Sequence, residues 1–283
     1  MAELSQQTKD IVKSTAPVLK EKGEAITTRM YERMFSNFPH AKPLFKHQPK
    51  NQNQVLAKAI IGYCENIDNL ANFEAALDKI ARRHVETLIR PEHYPWVAES
   101  LLGAMKDILG DAATDEIITA WGEAFWFWAD ILIEREKKLY AESFTEESRK
   151  IVKETAPVLK QHGEAITTRM YEIMFSEYPD AKALFKNAPN NQNQILARSI
   201  VAYAENIDNL EALEGALDKI ARHHIDTEVK AIHYPWVAES LLQAMKDVLK
   251  EAATDKVINA WFGAYWFLAD ILIEREKKLY ATA

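Results

Sequence analysis

The chain has 283 residues, 48% of them apolar, a formal net charge of −7 and one cysteine, Cys64. The length and apolar share suit about two domain cores, the acidic balance disfavours a nucleic-acid partner, which needs a basic face, and a lone thiol rules out an intrachain disulfide and fits a reducing cytoplasm. We also expect no membrane span, because no run of about 18 apolar residues occurs, and no secretory leader, because charges at Glu3, Lys9, Asp10 and Lys13 interrupt the opening segment.

In chain order, Ser5 is a candidate cap for a helix over about 6–20, and Gly23 is expected to separate it from a second over about 24–37. Pro39 and Pro43 bracket a short helical turn ending near Phe45, and HQPKNQ at 47–52 reads as a loop. A helix over about 52–67 aligns Leu56, Ile60, Tyr63 and Ile67 on one face, and the next, over about 72–86, aligns Phe73, Leu77, Ile80 and His84. Pro91 marks a break. A helix over about 94–109 carries Val97, Leu101, Met105 and Ile108, and Thr114 is a candidate cap for a long helix through Trp121, Phe125, Trp128 and Leu132. At AESFTEES, 141–148, Phe144 before Thr145 has the pattern of a hydrophobic staple and an N-cap, so the last helix should run almost directly into a new first helix.

From there the pattern starts again. Residues 11–140 align with 151–280 at a constant offset of 140 without a gap, and 90 of these 130 pairs are identical. A period of that length is a whole domain, not a solenoid repeat. With no hairpin dipeptides and no sustained alternation, strands are not expected. The chain therefore reads as all-α, two domains in tandem, 1–141 and 142–283, each of six to seven helices.

The eight histidines sort by this repeat. His84 and His224 match, each on an apolar helix face one turn after an isoleucine. His93 and His233 match beside Tyr94 and Tyr234, where capping a helix is a simpler role than binding metal. His40 and His47 face Asp180 and Asn187 in the second copy, and His162 and His223 have no counterpart. No HExxH, CxxC, dinucleotide or phosphate-loop motif is present, and no serine sits in a nucleophile elbow. One imidazole per domain in an aromatic-rich, helical setting is either a core histidine with satisfied nitrogens or the single axial ligand that haem iron needs.

The motifs APVLKEKGEAITTRMYERMF at 16–35, PHAKPLF at 39–45, NQNQVLAKAI at 51–60, ENIDNL at 65–70, KIARRH at 79–84, HYPWVAESLL at 93–102 and EREKKLY at 134–140 resemble the globin domain of bacterial flavohaemoglobins and the single-domain bacterial haemoglobins of the Vitreoscilla type. The resemblance covers nearly the whole chain, twice. It implies two globin folds, each holding one haem b through His84 or His224. It further implies Phe45 and Phe185 packed on the haem, Tyr31 and Tyr171 as distal hydroxyl donors, Gln52 and Gln192 as distal amides, and Leu56 and Leu196 one turn later. Tyr94 with Glu136, and Tyr234 with Glu276, would hold the proximal imidazoles. Gln54 competes with Gln52, but Gln52 shares the Leu56–Ile60 face. On residue chemistry alone, Tyr31 also reads as an ordinary buried tyrosine, Gln52 as a surface residue and Glu136, within EREKK, as part of a solvated face.

The implied ligands are O2, NO and CO, with oxygen supply or nitric-oxide dioxygenation as the function. A haem-based oxygen or redox sensor, or a peroxidase-like haem protein, is the alternative. Flavohaemoglobins continue into flavin and nucleotide modules whose glycine-rich motif is missing here, so turnover would need an external flavin reductase. The copies differ around the proximal loop: Arg83, Leu88–Ile89 and Pro91 become His223, Glu228–Val229 and Ala231. His223 is a competing ligand, disfavoured because neighbouring residues point about 100° apart on a helix.

Overall fold

The computed structural model describes residues 3–46 and 48–281; His47 lies outside the described residues. It is helical, with no strand among them, and divides into two compact units, Met1–Lys137 and Lys138–Ala283.

In unit 1, α1 (Gln6–Ser14) is capped by the Ser5 hydroxyl, which accepts from the Thr8 amide. It gives way at Thr15 to α2 (Ala16–Asn37). The break expected at Gly23 therefore falls eight residues earlier. Pro17 lies at the start of α2, where its missing N–H is harmless. Gly23 instead sits inside α2 against α3 (Gln52–Asn66), and a Cβ there would stand 3.6 Å from that of Ala57. Its small size lets two helices approach. A 3-10 segment, Pro39–Phe45, precedes α3, and a second, Leu70–Phe73, leads into α4 (Glu74–Glu86). Then come α5 (Tyr94–Leu109) and the long α6 (Asp115–Glu142), whose last five residues already belong to unit 2.

In unit 2 the first helix, α7 (Glu146–Glu177), is capped by Thr145 and runs uninterrupted through Pro157. It is followed by α8 (Ala181–Leu184), α9 (Gln192–Glu205), α10 (Glu214–Asp226), α11 (Tyr234–Leu249) and α12 (Asp255–Tyr280). By length and composition α12 is apolar enough to cross a membrane, but half of its most apolar stretch is buried inside the protein. It is a core helix, with Trp261, Ala264, Trp266 and Ile273 buried.

Polar links, some buried and some at the surface, align the helices that build the site. The Thr27 hydroxyl donates to the Asn53 carbonyl at 2.9 Å, and the Asn53 amide to Thr28 at 2.9 Å, which fixes the first turn of α3 against α2. Thr167 and Asn193 repeat the bond at 2.9 Å. The Tyr63 hydroxyl donates to the Ala124 carbonyl, and Tyr203 to Ala264, both at 2.8 Å. On the other side, Arg135 of α6 reaches Asp78 and Glu74 of α4, the latter at 2.5 Å. Arg275 does the same with Asp218 and Glu214.

Candidate functional site

These restraints bring one side of α4 against α6, and the charged EREKK stretch splits between two faces. Arg135 stays near the surface, while Glu136, about 100° further round, is only 2% exposed. The solvated reading of Glu136 is thus corrected, and the same holds for Glu276, at 3%. Nδ1 of His84 lies 2.6 Å from Glu136 Oε1 and 3.2 Å from the Tyr94 hydroxyl, which itself donates to Oε1 at 2.7 Å. Unit 2 has the same three distances among His224, Glu276 and Tyr234. A carboxylate only accepts, so the proton of each imidazole belongs on Nδ1, and Nε2 keeps its lone pair. The second carboxylate oxygen of Glu136 is buried without a hydrogen-bond partner, so the acceptor role of that group is concentrated on Oε1. Burial, then the nearby Glu276 carboxylate, hold the Tyr234 hydroxyl far above the ordinary phenol range, keeping it a donor.

His223 is exposed and projects away from this network, as does Arg83, which pairs with Glu86 at 3.1 Å. Of the duplicated pair His93 and His233, each ring accepts at Nδ1 from a backbone amide three residues earlier, Arg90 at 3.2 Å and Lys230 at 3.1 Å. Both rings therefore cap the turn before their helix. Burial, reinforced by Arg90 and by the neighbouring histidines, drives His93 down to about 3.

That depression carries a pH signature. His93 is neutral when folded, whereas in the unfolded chain it binds a proton near pH 6.5, so stability is complete above that value and falls as pH drops towards 3. The expected loss is up to about 1.4 kcal/mol per pH unit across that window. Denaturant titrations of the wild type and His93→Gln between pH 7 and 4 measure it. The variant should be less stable at neutral pH and should lose less on acidification; parallel curves would contradict the assignment.

Facing the imidazole in unit 2 is a cavity of about 440 Å³. Its walls are mainly apolar, among them Met170, Leu196, Leu217, Leu241 and Leu268, and its polar groups include Tyr171, Gln192 and His224. Phe185 closes one side, with its ring edge-on to Tyr171 at 5.2 Å. Burial raises the Tyr171 hydroxyl above its ordinary range, and a hydrogen bond from Gln192 partly offsets the rise. In unit 1, Tyr31 is pushed up to about 12 by burial, opposed by a hydrogen bond from Gln52, and Phe45 lies edge-on to Tyr31 at 5.4 Å. Leu56, like Leu196, is half-buried one turn beyond its glutamine. Gln54 points elsewhere, donating to Glu24 at 3.0 Å on the exposed side. Thr27 and Asn53, which set this register, went unnoticed in the sequence, although ITTRM and NQNQ both recur unchanged in the second copy.

A mainly apolar cavity with one imidazole whose Nδ1 faces a buried carboxylate, opposite a phenol and an amide, fits a flat apolar cofactor that takes a single nitrogen ligand. An all-α fold that carries the imidazole–carboxylate–phenol arrangement twice, with this cavity facing it in unit 2, defines a duplicated helical protein with the features of a cofactor site. The globin family model matches residues 28–131 and 168–272, and the chain belongs to the globin family. An uncharacterised globin-like protein of Aquifex aeolicus is 50% identical over 137 residues, 48% of this chain and 97% of that protein. A flavohemoprotein of Rhizobium meliloti is 49% identical over 143 residues, 50% of this chain but 36% of its own length. The chain thus spans about a third of the flavohemoprotein it matches. A solved bacterial globin from Campylobacter jejuni aligns with a TM-score of 0.46 and 35% identity, covering 48% of this chain and 99% of that one.

Proposed function

We propose that each unit binds one haem b, two per chain, through Nε2 of His84 and of His224, and that the protein reversibly binds O2, NO and CO. The observation that carries this is the duplicated 2.6 Å contact between each imidazole Nδ1 and a buried carboxylate. It holds the ring in one tautomer and one orientation, and leaves Nε2 as the free ligating atom. The haem, when bound, supplies the iron at which diatomic gases are held and, with electrons from an external flavin reductase, at which nitric oxide is dioxygenated. The protein supplies the surroundings. Glu136 and Glu276 would make their imidazoles stronger electron donors to a bound iron. Tyr31 and Tyr171, kept protonated by burial and steadied by Gln52 and Gln192, present donors towards a ligand that gathers negative charge. Phe45 and Phe185 pack against the face of the group, and Leu56 and Leu196 help exclude water. The flavohemoprotein likeness supports the haem and the reductase dependence, and electron donation by the proximal imidazole favours oxygen activation over storage.

Reconstitution with haemin tests the reading: a haem-to-chain ratio near two and an intense Soret band are expected, and a protein that takes up no haemin refutes it. Tyr31→Phe should accelerate O2 release from one of the two sites about 2- to 13-fold, the loss of a hydrogen bond of about 0.5–1.5 kcal/mol. Unchanged release in flash photolysis would remove Tyr31 from the distal role. Repeated cycling of the oxy-protein with nitric oxide in the presence of a flavin reductase separates dioxygenation from carriage, since a carrier stops after one round.

A further inference from the structure

Unit 2 covers an aromatic face of α12 with its own opening segment. The Tyr140 ring lies 5.3 Å from Trp266 and stacks on Phe262 at 5.8 Å and 17°, and Phe144 stacks on Phe267 at 4.5 Å. Trp266 is 1% exposed as a result, and Tyr140 4%. Shifted by one repeat, both halves of that contact are open. Trp126, the counterpart of Trp266, is 42% exposed, and Tyr280, the counterpart of Tyr140, is 41% exposed, its hydroxyl donating to the Val229 carbonyl at 3.0 Å while the rest of the ring faces outward. Only three other large apolar side chains among the described residues are exposed, Val18, Val55 and Ile195, so two of the five belong to one complementary pair.

The charges around them are complementary too. Trp126 is flanked about one turn away on either side by Glu123 and Asp130, both exposed, whereas Tyr280 follows the exposed pair Lys277 and Lys278. We infer that the Trp126 face of α6 receives the Tyr280 end of α12 from a second copy of this chain, head to tail. The seating differs from that in unit 2 at two positions. Gly263 admits the Ser143 backbone so closely that a Cβ there would stand 2.3 Å from the carbonyl oxygen. Glu123 takes that position in unit 1, where its carboxylate accepts from the Thr8 hydroxyl at 2.6 Å and adds to the negative charge that faces the lysines. Gly122 replaces Phe262, and a Cβ there would meet only Leu102 at 3.7 Å, so the tyrosine ring has room beside Trp126. The contact is heterologous, so each docked pair still presents one free head and one free tail, and association proceeds to open chains or a closed ring.

Sedimentation velocity on the full chain tests this. The wild type should form species at multiples of 32.4 kDa that dissociate on dilution and at high salt. Trp126→Glu and Tyr280→Ser should each be monomeric with unchanged far-UV circular dichroism, and Tyr280→Phe should still associate. Mixing the first two should restore a one-to-one complex, since one contributes an intact tail and the other an intact head. A wild type that stays monomeric at the highest attainable concentration overturns the inference. So does association surviving Tyr280→Ser, which would mean that two Trp126 faces pair with each other, or a mixture of the two variants that forms no complex.

Discussion

Replacing His84 by alanine should remove about half of the Soret absorbance of the haemin-loaded protein and lower its haem-to-chain ratio from two towards one. His84 is held by a buried carboxylate, and His93 cannot take over, because its Nδ1 accepts from the Arg90 amide, which leaves the ring proton on Nε2 and no lone pair there for iron. The effect should be confined to one site, because His224 has its own partners, Glu276 and Tyr234. His224→Ala should mirror the result and the double variant should abolish the band. Exogenous imidazole should restore the lost half by filling the vacated space with the same nitrogen ligand. Full absorbance in His84→Ala would show that iron is held elsewhere and would end the axial assignment.

Glu136→Ala is expected to act on both stability and electronics. It strips the acceptor from two buried donors at once, His84 Nδ1 and the Tyr94 hydroxyl. Each buried donor left unsatisfied costs about 1–3 kcal/mol, so denaturant unfolding of unit 1 should lose about 2–6 kcal/mol. The part of Oε2 that lacks a partner returns some of the desolvation already invested, which favours the lower end. The electronic signature is separate: without a carboxylate behind it the imidazole is a weaker donor, so the iron–histidine stretching band should move to lower frequency for one site and remain in place for the other. Glu136→Gln keeps the shape and one acceptor, and should fall between the alanine variant and the wild type in both measurements. A stability loss with an unmoved band would assign Glu136 a purely structural role.

The repeat, the helical class and the position of the imidazoles were legible in the sequence for a local reason. Caps such as Ser5 and Thr145 and the spacing Leu77–Ile80–His84 depend on atoms within a turn or two, and α3, α4 and α5 begin and end within two residues of their expected limits. The first helix break was misplaced because glycine in a helix interior has two readings, a stop or a place of close approach. Only the presence of Ala57 beside Gly23 decides between them.

The glutamine register and the buried glutamate belong to the same class of question. Gln52 and Gln54 are two residues apart on one helix, and periodicity says only that they face different ways. Which way is inward was decided by Thr27 donating across 26 positions to the Asn53 carbonyl and by Glu24 taking the Gln54 amide. Glu136 lies amid four other charged residues, and its burial depends on α6 lying against α4, 52 positions away from His84. By itself the sequence determined an all-α duplicated globin chain and placed one imidazole on a buried helix face in each copy, because covalent neighbours and helical pitch suffice for that. Only the tertiary structure decided which proton that imidazole carries, which amide meets Tyr31 and which surface aromatic is left uncovered, because each depends on groups that become neighbours only when distant helices pack.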